Sequence, residues 1–277
     1  MALLFGRICQ VTVGSQLWED LHMAFKVKRT VTSKPNQTEL AIWNLSAEDR
    51  RACETAGAQV RIVAGYPETA SLLCMGDLWD ATHERTDSGD IITTIKANDG
   101  DRGWRNQLRR SWTGGTRKRD VVKVLGEAMG LGIADSTLDL VDGIYEAPRV
   151  VSGPAVLALD RIANTLGLYW SIQNEQLVLV PLDGATTETA VVLSAETGLI
   201  GSPEVQPRKP GTRANPSQHG MVTAVSLINP LLTPGRRVLL EAELVRGDFR
   251  VDEVEHSGDT HDASKWTSTC KLRPTRR

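Results

Sequence analysis

The stretch that decides the fold runs from His22 to Gly65 and reads HMAFKVKRTVTSKPNQTELAIWNLSAEDRRACETAGAQVRIVAG. It begins with the period of a β-strand that has one solvated face, since apolar residues alternate with small or charged ones at Met23, Phe25 and Val27. Pro35 fixes its backbone φ angle and Asn36 tolerates left-handed geometry, so a turn is expected there. A return strand is then predicted over residues 39–45.

A short helix is predicted after this hairpin. Ser46 can cap a helix from Ala47 to about Ala56, because its hydroxyl can accept a hydrogen bond from an unpaired backbone N–H. Gly57 is a typical helix stop, and a third strand is predicted over residues 59–64. This unit of two hairpin strands, a short helix and a third strand contains no pattern typical of an active site.

Length and composition restrict the class of protein. The chain has 277 residues and a mass of 30.2 kDa, which predicts two or three domains. Its 40% apolar content and seven Trp residues are sufficient for packed cores. A net charge of −2 argues against a general nucleic-acid binder and gives no sign of a membrane-surface protein.

The cysteines and the apolar runs of the chain indicate the compartment in which the protein folds. No CxxC pair occurs, so reduced and partly buried thiols in a reducing cytosol are expected for Cys9, Cys53, Cys74 and Cys270. No secretory signal and no run of about 18 apolar residues is visible. The sequence therefore predicts a soluble protein.

The first region, through Ala97, is predicted to be mainly antiparallel β. Residues 1–13 contain a strand that should pair with the opening unit. Another strand is predicted over residues 71–79, with Gly76 as a bulge or a place of close backbone approach. Residues 80–97 predict a long protruding hairpin that turns at Ser88 and Gly89.

The second region is predicted to be a small α/β module. Helical spacing of apolar residues predicts one helix over residues 117–129, capped by Thr116, and a second helix over residues 153–166. Two strands, over residues 169–172 and 176–180, should follow as a hairpin.

The third region is again predicted to be antiparallel β. Its strands are expected around residues 190–193, at Val205, and over residues 221–228, 237–245, 250–256 and 265–272. Between them, residues 206–219 contain three of the 12 Pro residues and almost no apolar groups, which predicts a long exposed loop.

One turn near the C-terminus has the residue types of a metal site. Two imidazoles and two carboxylates occur close together at His256, Asp259, His261 and Asp262. The competing interpretation, an ordinary solvated turn, is favoured because this spacing is not typical of metal ligands off a helix. His22, His83 and His219 have no companions in the sequence, so no metal is predicted.

Catalytic patterns are absent from the sequence. There is no Gly-x-Ser-x-Gly elbow and no Cys with a neighbouring His. Carboxylate pairs such as Asp77 with Asp80 are typical of solvated loops. Gly114, Gly115 and Thr116 lack the Lys that completes a phosphate-binding loop. No catalytic residue and no cofactor is therefore predicted.

The strongest charge feature is the basic segment over residues 102–123, which includes Arg109, Arg110 and Arg117 and is interleaved with Trp104 and Trp112. Such a pattern can bind nucleic acid through phosphate contacts and stacking. It is also typical of a protein-binding face whose Trp residues pack inside, and this second interpretation is favoured.

The order of these features resembles the baseplate hub proteins of contractile-tailed bacteriophages. The matching residues are Pro35-Asn36 and Ile42-Trp43-Asn44-Leu45-Ser46, followed by residues 155–181 for the small module. Asn229-Pro230, Pro234-Gly235 and residues 254–259 are similar to the closing barrel. The resemblance covers most of the chain, although nothing in residues 206–219 aligns with it.

The resemblance implies a mainly β, α+β fold in which two tail-tube-like antiparallel barrel or sandwich domains (1–115 and 184–277) flank a small α/β module (116–183). It implies a structural, non-enzymatic homotrimer whose ring connects the tail tube to the central spike. Spike, tube and other baseplate proteins are the implied partners, with a tape-measure protein as a further candidate. No membrane and no sequence-specific nucleic acid is implied.

The implied location is the baseplate of the virion tail, after assembly in the host cytoplasm. Interface residues are predicted on the long hairpin, at Ile91 and Ile95, and in the basic segment, at Arg109, Arg110 and Arg117. Three alternatives stay open: a hexameric tail-tube or distal-tail protein, a metal-assisted cell-wall hydrolase using His256 and His261, and a nucleic-acid-binding module.

Overall fold

The structure, a computed structural model, describes residues 4–206, 220–262 and 264–275. The long loop predicted over residues 206–219 lies outside these residues except for Gln206. The fold is mainly β, as predicted, with a small amount of helix in the middle of the chain.

The first region forms seven strands and one short helix. The strands are β1 (Ile8–Val13), β2 (Gln16–Trp18), β3 (Met23–Thr30), β4 (Asn36–Trp43), β5 (Gln59–Gly65), β6 (Ser71–Arg85) and β7 (Ile91–Asp99), and the helix is α1 (Ala47–Ala52). β1 pairs with β5, which confirms that the N-terminal strand joins the sheet of the opening unit.

The opening stretch folds as its alternation predicts. Phe25 on β3 lies opposite Leu40 on β4, and both side chains are buried. The return strand begins earlier than predicted, at Asn36, whose Oδ1 accepts a hydrogen bond from the backbone N–H of Thr30 at 2.9 Å. The cap is confirmed, because Ser46 Oγ accepts from the Asp49 N–H at 3.0 Å.

The helix after this cap is shorter than predicted. It ends at Ala52, and the backbone N–H of Gly57 already donates to Leu78 O at 2.8 Å. The chain therefore leaves the helix before Gly57, and from Gly57 onward its backbone pairs with β6. At Gly76 the predicted close approach is confirmed, since a Cβ there would lie 2.8 Å from Asn98 O on β7.

The second region contains the predicted helices and hairpin, together with three further strands and two further short helices. Its elements are α2 (Asp101–Arg105), β8 (Gln107–Trp112), α3 (Lys118–Ala128), β9 (Gly132–Ile133), α4 (Asp135–Leu138), β10 (Arg149–Pro154), α5 (Ala155–Leu166), β11 (Leu168–Gln173) and β12 (Gln176–Pro181). β8 and β10, which were not predicted, pair as an antiparallel two-stranded ribbon.

The predicted cap of α3 is wrong. Arg117, and not Thr116, occupies the N-cap position, and no side chain caps the helix there. The hydroxyl of Thr116 instead donates to Thr113 O at 2.8 Å, because a tight turn precedes the helix.

The third region adds six strands: β13 (Val191–Ser194), β14 (Leu199–Val205), β15 (Val222–Leu227), β16 (Arg237–Glu241), β17 (Arg246–Asp259) and β18 (Trp266–Pro274). β17 pairs with β3 along Glu253–Asp259, so that both β regions belong to one sheet, with 13 strands in the described residues. The turn predicted over residues 257–261 begins later, because β17 continues through Asp259.

Three clusters of buried side chains support our proposal of three domains. One lies in the first region, one in the module and one in the third region. Trp104, Leu108 and Trp112 pack against the module cluster. We therefore propose to move the first boundary from residue 115 to about residue 100, and to keep the second boundary at residue 184.

Candidate interaction surfaces

The outer parts of β6 and β7 form a hairpin that we call the arm. It does not protrude as predicted, because β7 stays paired with β4 as far as Ile92. Its β6 strand is exposed from Thr82 to Arg85, and Trp79 on the same strand is 54% exposed. The inner part of β6 pairs with β5 as far as Asp77, whereas the part beyond pairs only with β7 in the described residues. The arm therefore presents an unpaired strand edge over residues 79–85.

Local hydrogen bonds hold the arm in place. Asn44, with a left-handed φ of 58°, accepts a hydrogen bond from the Ile91 N–H at 2.9 Å through Oδ1, and its Nδ2 donates to Asp90 Oδ1 at 2.9 Å. Hydrogen bonds from Asn44 and Ser88 hold the pKa of Asp90 below its usual range. The turn of the arm is thus fixed by its polar side chains.

The two predicted hairpin residues have different environments. Ile91 lies at the start of β7 and is half-buried. Ile95 is fully buried in the cluster of the first region. The prediction that Ile95 is an interface residue is therefore wrong, because alternation along β7 turns its side chain into the core.

The predicted basic residues lie at the surface of the module. Arg109 and Arg110 are exposed on β8, where the guanidinium carbon of Arg110 lies 6.0 Å from the ring centroid of Trp112. Arg117 is exposed at the start of α3, and its Nε lies 3.9 Å from Asp120 Oδ2. Trp104 and Trp112 pack on the module cluster, as the favoured interpretation of this segment predicts.

The solvated side of the large sheet carries a ladder of alternating charges, which we call the charged sheet face. It consists of Lys26, Lys28, Glu39, Lys96, Glu253, Glu255 and Lys271. Lys26 Nζ lies 3.0 Å from Glu255 Oε1, and Lys28 and Lys271 lie 3.2 and 3.0 Å from Glu253 Oε1. Partial burial opposes ionisation of Glu253, but hydrogen bonds from these two lysines hold its pKa below the usual value.

A buried polar junction fastens the module to the first region. The hairpin between β11 and β12 turns at Asn174 and Glu175, both with positive φ, and their backbone N–H groups donate to the Asp99 carboxylate at 2.6 and 3.1 Å. Arg29 Nε donates to Gln173 Oε1 at 2.8 Å. Burial lowers the pKa of Arg29 and raises that of Asp99, and the attraction between the two charges opposes both shifts.

A second junction ties the module to the third region. The buried Arg250 donates through Nη1 to Pro181 O at 2.6 Å and to Gly184 O at 2.8 Å. Its Nε donates to Asp252 Oδ1 at 2.9 Å, and Asp252 Oδ2 accepts from Arg273 Nε at 2.6 Å. A buried arginine and a carboxylate therefore hold the turn of the β11–β12 hairpin to the first region, and a second such pair holds the end of β12 to the third region.

The four candidate metal ligands do not converge. His256 is buried between strands, with Nδ1 2.8 Å from Ser268 Oγ, and burial lowers its pKa to about 3. His261 instead stacks on His22, and Asp259 Oδ1 accepts from the backbone N–H groups of His261 and Asp262. Among the described residues, no group of three or more His, Cys, Asp or Glu is placed to hold a metal ion.

His22 has companions, contrary to the sequence interpretation. It lies between Trp43 and His261, with ring centroids at 3.8 and 4.2 Å, and its Nε2 is 3.1 Å from Asp259 Oδ1. This stack packs the start of β3 and the end of β4 against the turn after β17. His83 lies 3.0 Å from Thr93 Oγ1, and His219 lies outside the described residues.

The cysteines are free and buried, as predicted. Burial raises the pKa of Cys9 and Cys270 to about 12 and that of Cys53 and Cys74 to about 11. A protonated, enclosed thiol is a poor nucleophile and a poor metal ligand. In the described part of the chain, no helix has the length and apolar character to span a membrane.

Comparison with known proteins identifies the fold. No family model and no curated protein matches the sequence. Among solved structures, the 43 kDa tail protein of prophage MuSo2 from Shewanella oneidensis has 8% identity and a TM-score of 0.69, with 97% of this chain and 98% of that chain covered. A tail protein from Neisseria meningitidis MC58 has 12% identity and a TM-score of 0.67, with 97% of each chain covered.

A third similar structure is the Escherichia coli c3393 protein, a type VI secretion component with structural similarity to the bacteriophage T4 tail proteins gp27 and gp5. It has 10% identity and a TM-score of 0.65, with 96% of this chain and 77% of that chain covered. The chain therefore has the fold of phage tail proteins, which confirms the predicted resemblance at the level of the fold.

Proposed function

We propose that this protein is a structural component of a phage tail, and specifically a baseplate hub protein that forms a homotrimeric ring between the tail tube and the central spike. The shared fold with two tail proteins and with a secretion protein similar to gp27 and gp5 supports the tail assignment. The position in the hub is our inference from the architecture.

The pairing of β3 with β17 carries this proposal. It joins the first and third regions edge to edge, so that one subunit supplies two β units in a single sheet. Three such subunits supply six β units around one axis. A ring of this kind can meet a sixfold tube on one side and a threefold spike on the other.

The two junctions support a subunit that assembles as a rigid block. Asp99 and Arg29 fasten the module to the first β unit, and Arg250 fastens it to the third region. Buried, charge-assisted hydrogen bonds fix orientation more strongly than exposed pairs do. A rigid subunit loses little further conformational entropy when a ring forms, which favours assembly.

The arm supports contacts between subunits. Its free edge over residues 79–85 can accept a strand from a neighbour, since exposed sheet edges are ready templates for pairing. The charged sheet face, in contrast, has both signs interspersed and few apolar groups. In a ring it suits the wall of a water-filled channel.

We propose a non-enzymatic role. The four cysteines are enclosed, and His256 and His261 lie in different surroundings, so the hydrolase alternative loses the ligands on which it depended. The proposed partners are a second and third copy of the chain, the spike, the tail tube and neighbouring baseplate proteins, with a tape-measure protein as a further candidate. The proposed location is the virion tail.

The mass in solution tests this proposal. Light scattering over a range of concentrations should give three times the chain mass of 30.2 kDa. A hexamer would instead favour the tail-tube or distal-tail alternative, and a monomer at every concentration would contradict a ring that assembles without its partners.

A further inference from the structure

A groove with a volume of about 490 Å³ crosses the outer side of the module, between α5 and the segment that leads into β10. We call it the module groove. Its lining includes Lys118, Ile144, Arg149, Val150 and Arg161. It lies apart from both junctions and from the arm.

Aliphatic side chains in the module groove are unusually exposed. Val150 is 72% and Ile144 53% exposed. Neither belongs to the buried cluster of the module or to the partly buried residues that pack against it. Exposed aliphatic residues gathered in a concave surface are typical of a site that another polypeptide covers.

Three cations surround these aliphatic residues. Lys118, Arg149 and Arg161 have no ion pair with a carboxylate in the described residues, and Arg149 instead lies 5.7 Å from the ring centroid of Tyr145. Glu146 is the acidic residue in the lining. The module groove therefore fits a segment that places an apolar side chain between carboxylates.

Such a segment exists in the chain itself, at the turn between β16 and β17. This acidic turn consists of Glu241 to Val245, and it is closed by a hydrogen bond of 3.1 Å from the Ala242 N–H to Val245 O. Leu244 at its tip is 79% exposed, and Glu241 and Glu243 are exposed without an ion pair in the described residues. Arg246 donates to Ala242 O at the base of the turn.

No residue of the acidic turn lines the module groove of its own chain, and the two share no hydrogen bond or ion pair among the described residues. We infer that the acidic turn of one subunit docks in the module groove of a neighbouring copy, with Leu244 between Ile144 and Val150 and the two glutamates facing the three cations. This contact joins different surfaces of identical chains, and such head-to-tail contacts form a closed ring when the rotation between neighbouring copies closes. The inference rests on the proposed function, because it requires assembly of several copies.

Disulfide cross-linking tests the contact directly. Val150→Cys and Leu244→Cys are made as separate variants, purified reduced, mixed and oxidised; the four native cysteines are buried and should not interfere. We expect a cross-linked dimer that contains one chain of each variant. The matched control mixes Val150→Cys with Leu231→Cys, which is 46% exposed on a different turn. A yield no higher than in this control overturns the inference.

Charge reversal gives an independent readout. Arg161→Glu should lower the cross-linking yield at least tenfold, and Glu243→Arg in the other variant should restore it. If Arg161→Glu leaves cross-linking at its original yield but abolishes binding of a DNA duplex, the groove binds nucleic acid and the inference is wrong. Trimers that form with control-level cross-linking overturn the contact alone, whereas specific cross-links without trimers contradict the proposed ring alone.

Discussion

The carboxylate of Asp99 accepts a hydrogen bond of 2.6 Å from the backbone N–H of Asn174, 75 residues later in the chain. The same carboxylate accepts from Glu175, so it caps the tight turn between β11 and β12. A loop of the module thereby closes on the end of a strand of the first β region, where Asp99 is buried and Asn174 is half-buried.

Asp99→Asn is expected to lower the free energy of unfolding by about 2–4 kcal/mol, because one acceptor becomes a donor that faces backbone N–H groups and Arg29 loses its counter-charge. Urea denaturation measures this loss. Asp87→Asn, on the exposed turn of the arm, is the control and should change stability little. Equal effects of both substitutions would show that the junction contributes no special stability.

Because His256 is buried, we expect the free energy of unfolding to depend on pH. Burial lowers its folded-state pKa from 6.5 to about 3, so its contribution is present above about pH 6.5 and is lost as pH falls, since only the unfolded chain takes up the proton. Between pH 6.5 and about pH 4.5 this loss should reach about 2 kcal/mol. Denaturation of the wild type and of His256→Gln across this interval measures it.

The His256→Gln variant should show a flatter dependence, because Gln does not titrate. His83→Gln, at a partly exposed position on the arm, is the matched control for the exchange of His for Gln. If the stability of His256→Gln fell with pH as steeply as that of the wild type, His256 would not be the cause of the pH dependence.

Lysine substitutions on β7 separate folding from assembly. Ile95→Lys places a charge in the core and should unfold the subunit, at a cost above about 3 kcal/mol. Ile91→Lys, at the half-buried start of the strand, should leave the subunit folded and weaken the proposed ring. Circular dichroism reports folding and sedimentation reports mass; trimers of folded Ile91→Lys would exclude a role of Ile91 in assembly.

Gly76→Ala tests the close approach of β6 to β7. An added Cβ would meet Asn98 O at 2.8 Å, so the strands must separate and stability should fall by about 1–3 kcal/mol. Gly132→Ala is the control, because its nearest new contact is 3.5 Å away, at a side-chain atom. Thermal denaturation compares the two, and an equally mild effect at both positions would contradict the crowding argument.

The local sequence pattern was sufficient to predict most of the helices and strands. The alternation at Met23, Phe25 and Val27 correctly predicts β3 and its buried face, and Ser46 correctly predicts the start of α1. The same alternation also places two charged residues at buried positions. Arg29 continues the buried positions of β3, just as Asp99 continues those of β7 after Ile95, so a buried polar junction could have been expected.

The ribbon of β8 and β10 could not be found in this way. Each strand is short, and Arg109 and Arg110 give β8 a polar character that is typical of a surface loop. Its strand conformation depends on pairing with residues about 40 positions later, and local propensity contains no information on such a partner. The groove beside it was missed for the same reason.

By itself the sequence determined every strand of the first region except β2, the two main helices, the hairpin that follows them and the burial of the cysteines, because each depends on residues close together in the chain. Only the tertiary structure decided that β3 pairs with β17, that Asp99 meets Asn174 and that His256 lies apart from His261. These contacts join residues up to 235 positions apart in the case of Ala24 and Asp259, and their energy comes from burial and pairing that exist only once the chain has folded.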